Sequence, residues 1–212
     1  TVIPEIAHLW PSGPVAALQI VCPPEVRPGE DVAVQVRLEN RKAGHNLITG
    51  PLDFMRCWVH LRVTDKAGRT VAEWGTIDPA TREICDQQGR IHEVGNARDD
   101  GTLVLEGLPL NQAGDLLVRH ELWEKAGGRG QRVVFAGHTD NQTYRFRAPA
   151  DARGSLRIHA DLNFRRYRQE FLNLVVPTME EESGVYQPTG AQSSDEVVVR
   201  VIEERSPQFA RK

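Results

Sequence analysis

The 212 residues predict an all-β chain, an immunoglobulin-like antiparallel β-sandwich with long loops and at most one short helix. Three observations carry this. Apolar residues recur at every second position in run after run, which places alternate side chains on one face of a pleated strand. The runs are short and separated by turns rich in Gly, Pro, Asp and Asn. Nothing supports a helix-rich alternative, and many short strands with one polar face each fit two packed sheets.

The first run, "VAALQIVC", places Ala16, Leu18, Ile20 and Cys22 on one face, and the turn "PPEVRPGE" leads into "DVAVQVRLEN". There Val32, Val34, Val36 and Leu38 point inward, opposite Gln35, Arg37 and Glu39. From Met55 to Thr64 the inward set is Cys57, Val59, Leu61 and Val63, with Arg56, Trp58, His60 and Arg62 outward, and "DKAG" turns the chain into "RTVAEWG". Further strands are expected at 103–106, 116–123, 131–136 and 142–147. The clearest alternation is "SLRIHADLNF", where Leu156, Ile158, Ala160, Leu162 and Phe164 oppose Arg157, His159, Asp161 and Asn163. A last strand is expected at 196–204.

Two segments depart from the pattern. Residues 77–102 are polar and turn-rich, and loops of that length are commonly functional or partner-facing. Residues 165–176, "RRYRQEFLNLVV", form either a short helix or a continuation of the preceding strand. The expected organisation is an extension at 1–13, a sandwich domain at 14–176, a linker at 177–195, and a final strand and tail at 196–212.

A chain of this size buries about 70% of its unfolded surface and needs no covalent staple. The net charge of −3, from 26 basic and 29 acidic residues, is too balanced to suggest nucleic acid as a partner. No apolar run reaches the ~20 residues that span a bilayer, and the opening "TVIPEIAHLWPSGP" lacks the features of a signal peptide, so residue 1 is expected to be a mature or trimmed end. Three cysteines, Cys22, Cys57 and Cys85, leave at least one thiol outside any intrachain bridge and leave open whether Cys22 pairs with Cys85.

Covalent attachment of haem c requires C-x-x-C-H, which is absent. "CWVH" offers one thiol, with His60 on the opposite strand face from Cys57, and reads as a core cysteine beside a sheet-face histidine. The seven histidines show neither H-E-x-x-H nor a cysteine knuckle, so no protein-only metal site is expected. There is no G-x-S-x-G elbow, and "AGGRGQ" lacks the lysine of a phosphate loop. Arg165, Arg166 and Arg168 in "NFRRYRQEF" read either as a solvated edge that discourages strand pairing or as a rim that grips carboxylates, such as haem propionates or an acidic partner. In "AGHNLITG" the flanking Gly44 and Gly50 permit tight turns that present the His45 imidazole outward.

Several segments, in order, resemble the haem-free β-sandwich domain at the C-terminal end of bacterial multihaem c-type cytochromes. They are "PPEVRPGEDVAVQVRLEN"; the loop Gly44, His45, Asn46, Leu47, Thr49, Gly50, with Ile48 where that family has proline; "CWVHLRVTDKAG"; His120 to Trp123 in "RHELW"; Tyr144, Phe146 and Pro149; and "IHADLNFRRYRQEF". "VVFAGHTDN" replaces a D-R-I-x-P-G segment of the family, and the haem-attachment motifs that would lie upstream are absent from these residues.

The resemblance implies a non-enzymatic, periplasmic or extracellular accessory domain or subunit, packed against a multihaem cytochrome c or other electron-transfer subunit. It implies no haem covalently bound to this chain, contact with a partner's haem through His45 and His120, His45 as the iron ligand, and partner contacts at Asn46, Leu47, Arg165, Arg166 and Arg168. Trp10, Trp58 and Trp74 are candidates for an exposed interface patch, with core packing favoured for Trp74. A rival reading is a stand-alone protein- or glycan-binding module acting through the 77–102 loop without haem.

Overall fold

The computed structural model describes residues 13–50, 53–92, 101–117, 120–175 and 193–202. In chain order these form β1 (Ala16–Val21), β2 (Glu25–Val26), β3 (Asp31–Asn40), β4 (Arg56–Asp65), β5 (Thr70–Trp74), β6 (Thr76–Ile77), β7 (Ile84–Cys85), β8 (Val104–Leu110), β9 (Gly127–Arg132), β10 (Thr139–Arg147), β11 (Ser155–Arg165), helix α1 (Gln169–Val175) and β12 (Ser193–Val201). One sheet has the order β1-β3-β10; the other runs β2-β12-β11-β4-β8-β9, with β5 also paired to β4. The pairing is antiparallel apart from the short β12–β2 contact, which is parallel.

The alternation read from the sequence is the packing. Val32, Val34, Val36 and Leu38 of β3 meet Cys57, Val59, Leu61 and Val63 of β4 and Leu156, Ile158, Ala160 and Leu162 of β11 in one core between the sheets. The outer edge of β1 is covered from the second sheet: the Ile20 amide donates to the Asp195 carboxylate (2.6 Å) and the Leu18 amide to the Ser193 hydroxyl (3.3 Å). Two edge amides thus find acceptors without a further strand. β12 therefore belongs to the sandwich, and it begins at Ser193, inside the segment expected to be linker.

The outward face of β4 departs from expectation. Arg62 is exposed and His60 half-buried, but Trp58 and Arg56 are buried. The chain after β5 turns at Gly75, forms the β6–β7 hairpin and folds back over this face, so that Trp58 packs with Ile84, Val104 and Ile77 in a second, small core. The Trp58 indole donates to the Gly75 carbonyl at 2.9 Å. Trp58 is thus no part of an exposed patch; Trp74 is core, edge-on to Tyr144 at 5.2 Å, and Trp10 lies outside the described residues.

The covering flap, 76–92, is tied by its own aspartates. Asp78 accepts from the Ala80 and Thr81 amides, and Asp86 from the Gln88 and Arg90 amides. The Thr81 hydrogen bonds hold the Asp78 carboxyl below its usual range. Burial works against ionisation of Asp86, yet the backbone and side-chain hydrogen bonds from Arg90 also leave its carboxyl below the usual range. The polar composition of the flap reflects this turn chemistry.

Other boundaries shift as well. Among the described residues of 116–123 there is no strand: Leu116 makes one bridge to Leu110, and 122–124 form a single 3-10 turn. The strand expected at 131–136 is β9, which ends at Arg132, and the segment at 165–176 closes β11 and then forms α1. All three cysteines are free thiols, and burial pushes Cys57 up to about 12.

Candidate functional site: the loop end of the sandwich

Strand register decides which loops share an end. Ala16 pairs with Asn40, Thr139 with Glu39, and Arg165 with Arg56. The 41–55 loop, the 133–138 loop and the segment after Arg165 therefore leave the sandwich on the same side, and they carry His45, Asn46, Leu47, Arg165, Arg166 and Arg168.

Asn40 fastens the first two loops together. Fully buried at the end of β3, its amide donates to the carbonyls of His45 (2.8 Å) and Val134 (3.1 Å), and its own carbonyl oxygens accept from the Ala43 and Gly137 amides. Leu47 and Val134 exchange backbone hydrogen bonds of 2.8 and 2.6 Å. Ile48 is buried, and its peptide bond to Leu47 is cis. Asn46 and Leu47 are half-buried, whereas the His45 ring is exposed.

His120 is held at the far end of the same loop. Its Nδ1 lies 3.1 Å from both oxygens of Asp53, a carboxylate only 2% exposed. Its ring stands edge-on to Phe54 at 5.0 Å, and Phe54 stacks on Phe171 of α1 at 4.6 Å. The backbone of His120 has φ +61°, a left-handed conformation uncommon outside glycine that persists where surroundings over-determine it. Just beyond it Trp123 is 80% exposed, beside exposed Leu122.

The described histidines fall into two groups. His60, His92 and His159 direct Nε2 at carboxylates of Glu73, Glu106 and Asp161 and serve the packing of the second sheet. His45, His120 and His138 do the opposite: Nδ1 is engaged by the Asn46 carbonyl (3.0 Å), Asp53 and the Ala136 carbonyl (2.9 Å), and Nε2 has no partner among the described residues. An Nδ1–H donated to an oxygen leaves Nε2 with its lone pair, the form in which imidazole binds a metal. All three occupy the loop end. No group of three or more His, Cys, Asp or Glu suited to a metal ion occurs among the described residues, so any metal met by these imidazoles comes with other ligands.

Two of the three arginines are not surface groups. Arg165 is 2% and Arg168 1% exposed. Arg165 lies on the β11 face covered by the flap, 5.8 Å from the Trp58 ring centre, and donates to the Arg82 carbonyl at 2.5 Å. The expected basic rim fails for both: the flap covers Arg165 on what the sequence presents as an open strand face, and Arg168 is buried in the segment that follows β11. Arg166 alone is exposed, beside Tyr167.

Asp53, Phe54, His138 and Phe135 escaped sequence reasoning. Asn40 had a visible signal, since a strand closing on asparagine before a glycine-rich loop is a place for a buried side-chain amide to tie backbone.

No family model matches the chain, and no curated protein matches its sequence. Among solved structures, a penta-haem cytochrome c552 from Thermochromatium tepidum is similar over 88% of this chain, with a TM-score of 0.54 and 14% identity. The CARDB domain of a Pyrococcus furiosus protein is similar over 95% of this chain at 12% identity with a TM-score of 0.36, and a PapD-like domain of human CEP192 over 97% at 12% with 0.29. The chain spans 39% of the cytochrome's length and essentially all of the other two. At these identities the likeness to the cytochrome is one of fold, a β-sandwich module.

Proposed function

We propose that this chain is a non-catalytic β-sandwich module that packs its loop end against a multihaem cytochrome c in an extracytoplasmic electron-transfer assembly and lends an imidazole to a haem of that partner. The observation that carries the reading is the His120–Asp53 pair: a half-exposed imidazole with Nδ1 held by a buried carboxylate and Nε2 without a partner among the described residues. Support comes from the fold it shares with part of a penta-haem cytochrome.

The donor set fits a haem held elsewhere and not one held here. There is no thiol pair for thioether bonds, and Cys57 and Cys85 are buried. A haem iron held by the partner would supply the electron-transfer chemistry, and an imidazole from this chain would be a ligand suited to it. His120 is the residue suited to supply it, which moves the ligand role from His45 to His120. His45 and His138 flank it as exposed imidazoles, and exposed Arg166 is the arginine free to meet a propionate. Leu122, Trp123 and Phe135 supply exposed apolar area of the kind an interface covers.

Amide hydrogen exchange on the chain alone and bound to its cytochrome tests the placement. Protection is expected at 43–50, 120–124 and 133–138. Protection confined to the 76–92 flap would overturn the reading in favour of the haem-free binding module.

A further inference from the structure

Asp53 is a buried carboxylate outside the strands that faces a histidine at the loop end. It lies beyond the turn at Gly50, three residues before β4, and both its oxygens are 3.1 Å from His120 Nδ1. A carboxylate this buried is stabilised by a donor, and the imidazole N–H is the donor it faces. The histidine in turn is gripped from two sides, by Asp53 at Nδ1 and by the Phe54 edge contact on the ring. Its neighbours at this end, His45 and His138, have only backbone carbonyls at Nδ1. A carboxylate acceptor holds the ring N–H more firmly than a carbonyl does, which fixes the ring orientation and the tautomer.

We infer that Asp53 is a positioning residue that locks His120 in the Nδ1–H tautomer and so keeps the Nε2 lone pair available to an iron. The inference rests on the haem-facing reading above for its functional meaning, but the tautomer is a property of this chain alone.

The test uses the full chain, with Asp53→Ala, Asp53→Asn and His120→Ala variants, and two readouts. Long-range proton–nitrogen NMR on the haem-free chain at fixed neutral pH reports which ring nitrogen carries the proton. His120 is expected as the Nδ1–H form in the wild type and as a mixture in Asp53→Ala. Asp53→Asn, which keeps shape and a weaker acceptor, is expected to fall between them and guards against simple misfolding. The second readout is the Soret band of a ferric haem undecapeptide with one open axial position, titrated with each protein. Its apparent affinity is expected to fall about 10- to 100-fold in Asp53→Ala, and in His120→Ala to the residual level that the exposed His45 and His138 support. An Nε2–H tautomer in the wild type, or a tautomer unmoved by Asp53→Ala, overturns the inference. The expected NMR result without any Soret change leaves Asp53's role standing and overturns the haem-facing reading instead.

Discussion

Glu106→Gln is expected to destabilise the fold by about 3–5 kcal/mol, the range for removing one partner from a buried ion pair. Glu106 on β8 is fully buried, 3.9 Å from the Arg56 guanidinium and 3.4 Å from His92 Nε2. Arg56 and Arg165 are cross-strand neighbours, and Arg168 is buried in the segment that follows. Removing the carboxylate takes a negative partner away from Arg56 in a region of low dielectric, where charge is poorly screened. Arg56→Met together with Glu106→Leu should lose less than the sum of the two single changes, with a coupling above about 1 kcal/mol. Urea unfolding of the wild type, Glu106→Gln, the two single changes and their double measures both effects. A Glu106→Gln loss below about 1 kcal/mol would mean that the charge is not what holds the flap side of the sheet.

The second large effect is at Gly75. Its φ is +74°, and a Cβ there would stand 2.4 Å from the Val59 carbonyl oxygen and 3.1 Å from Trp58 Cδ1. Backbone strain alone costs about 1–3 kcal/mol, and the atom in the way is main chain of the central strand, which cannot yield cheaply. Gly75→Ala is therefore expected to cost about 3 kcal/mol or more. It should act first on the flap, because Gly75 also closes the hydrogen bonds to Trp58 and Cys85. Trp58 fluorescence is expected to shift toward the solvent-exposed value at lower denaturant than the global transition. Coincident transitions with wild-type stability would refute the assignment of Gly75 as the hinge.

The strands that form the main core were legible because their periodicity is local. Each of Val32, Val34, Val36 and Leu38 can be placed inward from its own neighbours. What the sequence hid was every feature set by a distant segment. Trp58 and Arg165 stand on the polar side of their strands and look exposed until the flap is seen to cover them. The flap itself reads as loop because its order comes from aspartate-capped turns. The same holds at the loop end. His45 was visible in its glycine-bounded loop, but the feature that sets His120 apart is a carboxylate 67 residues away in sequence. His120 was expected in a strand, where period two would place its ring on a face; instead a left-handed backbone turns it toward Asp53.

Whether His120 reaches a partner's iron is read from the visible spectrum of a multihaem cytochrome bound by this chain. Adding wild-type protein to the ferric cytochrome is predicted to shift the Soret band to the low-spin, six-coordinate form. His45→Ala should do the same, and His120→Ala should bind without the shift. A shift that survives His120→Ala, or a stable complex in which wild-type protein leaves the spectrum unchanged, would contradict that ligand role.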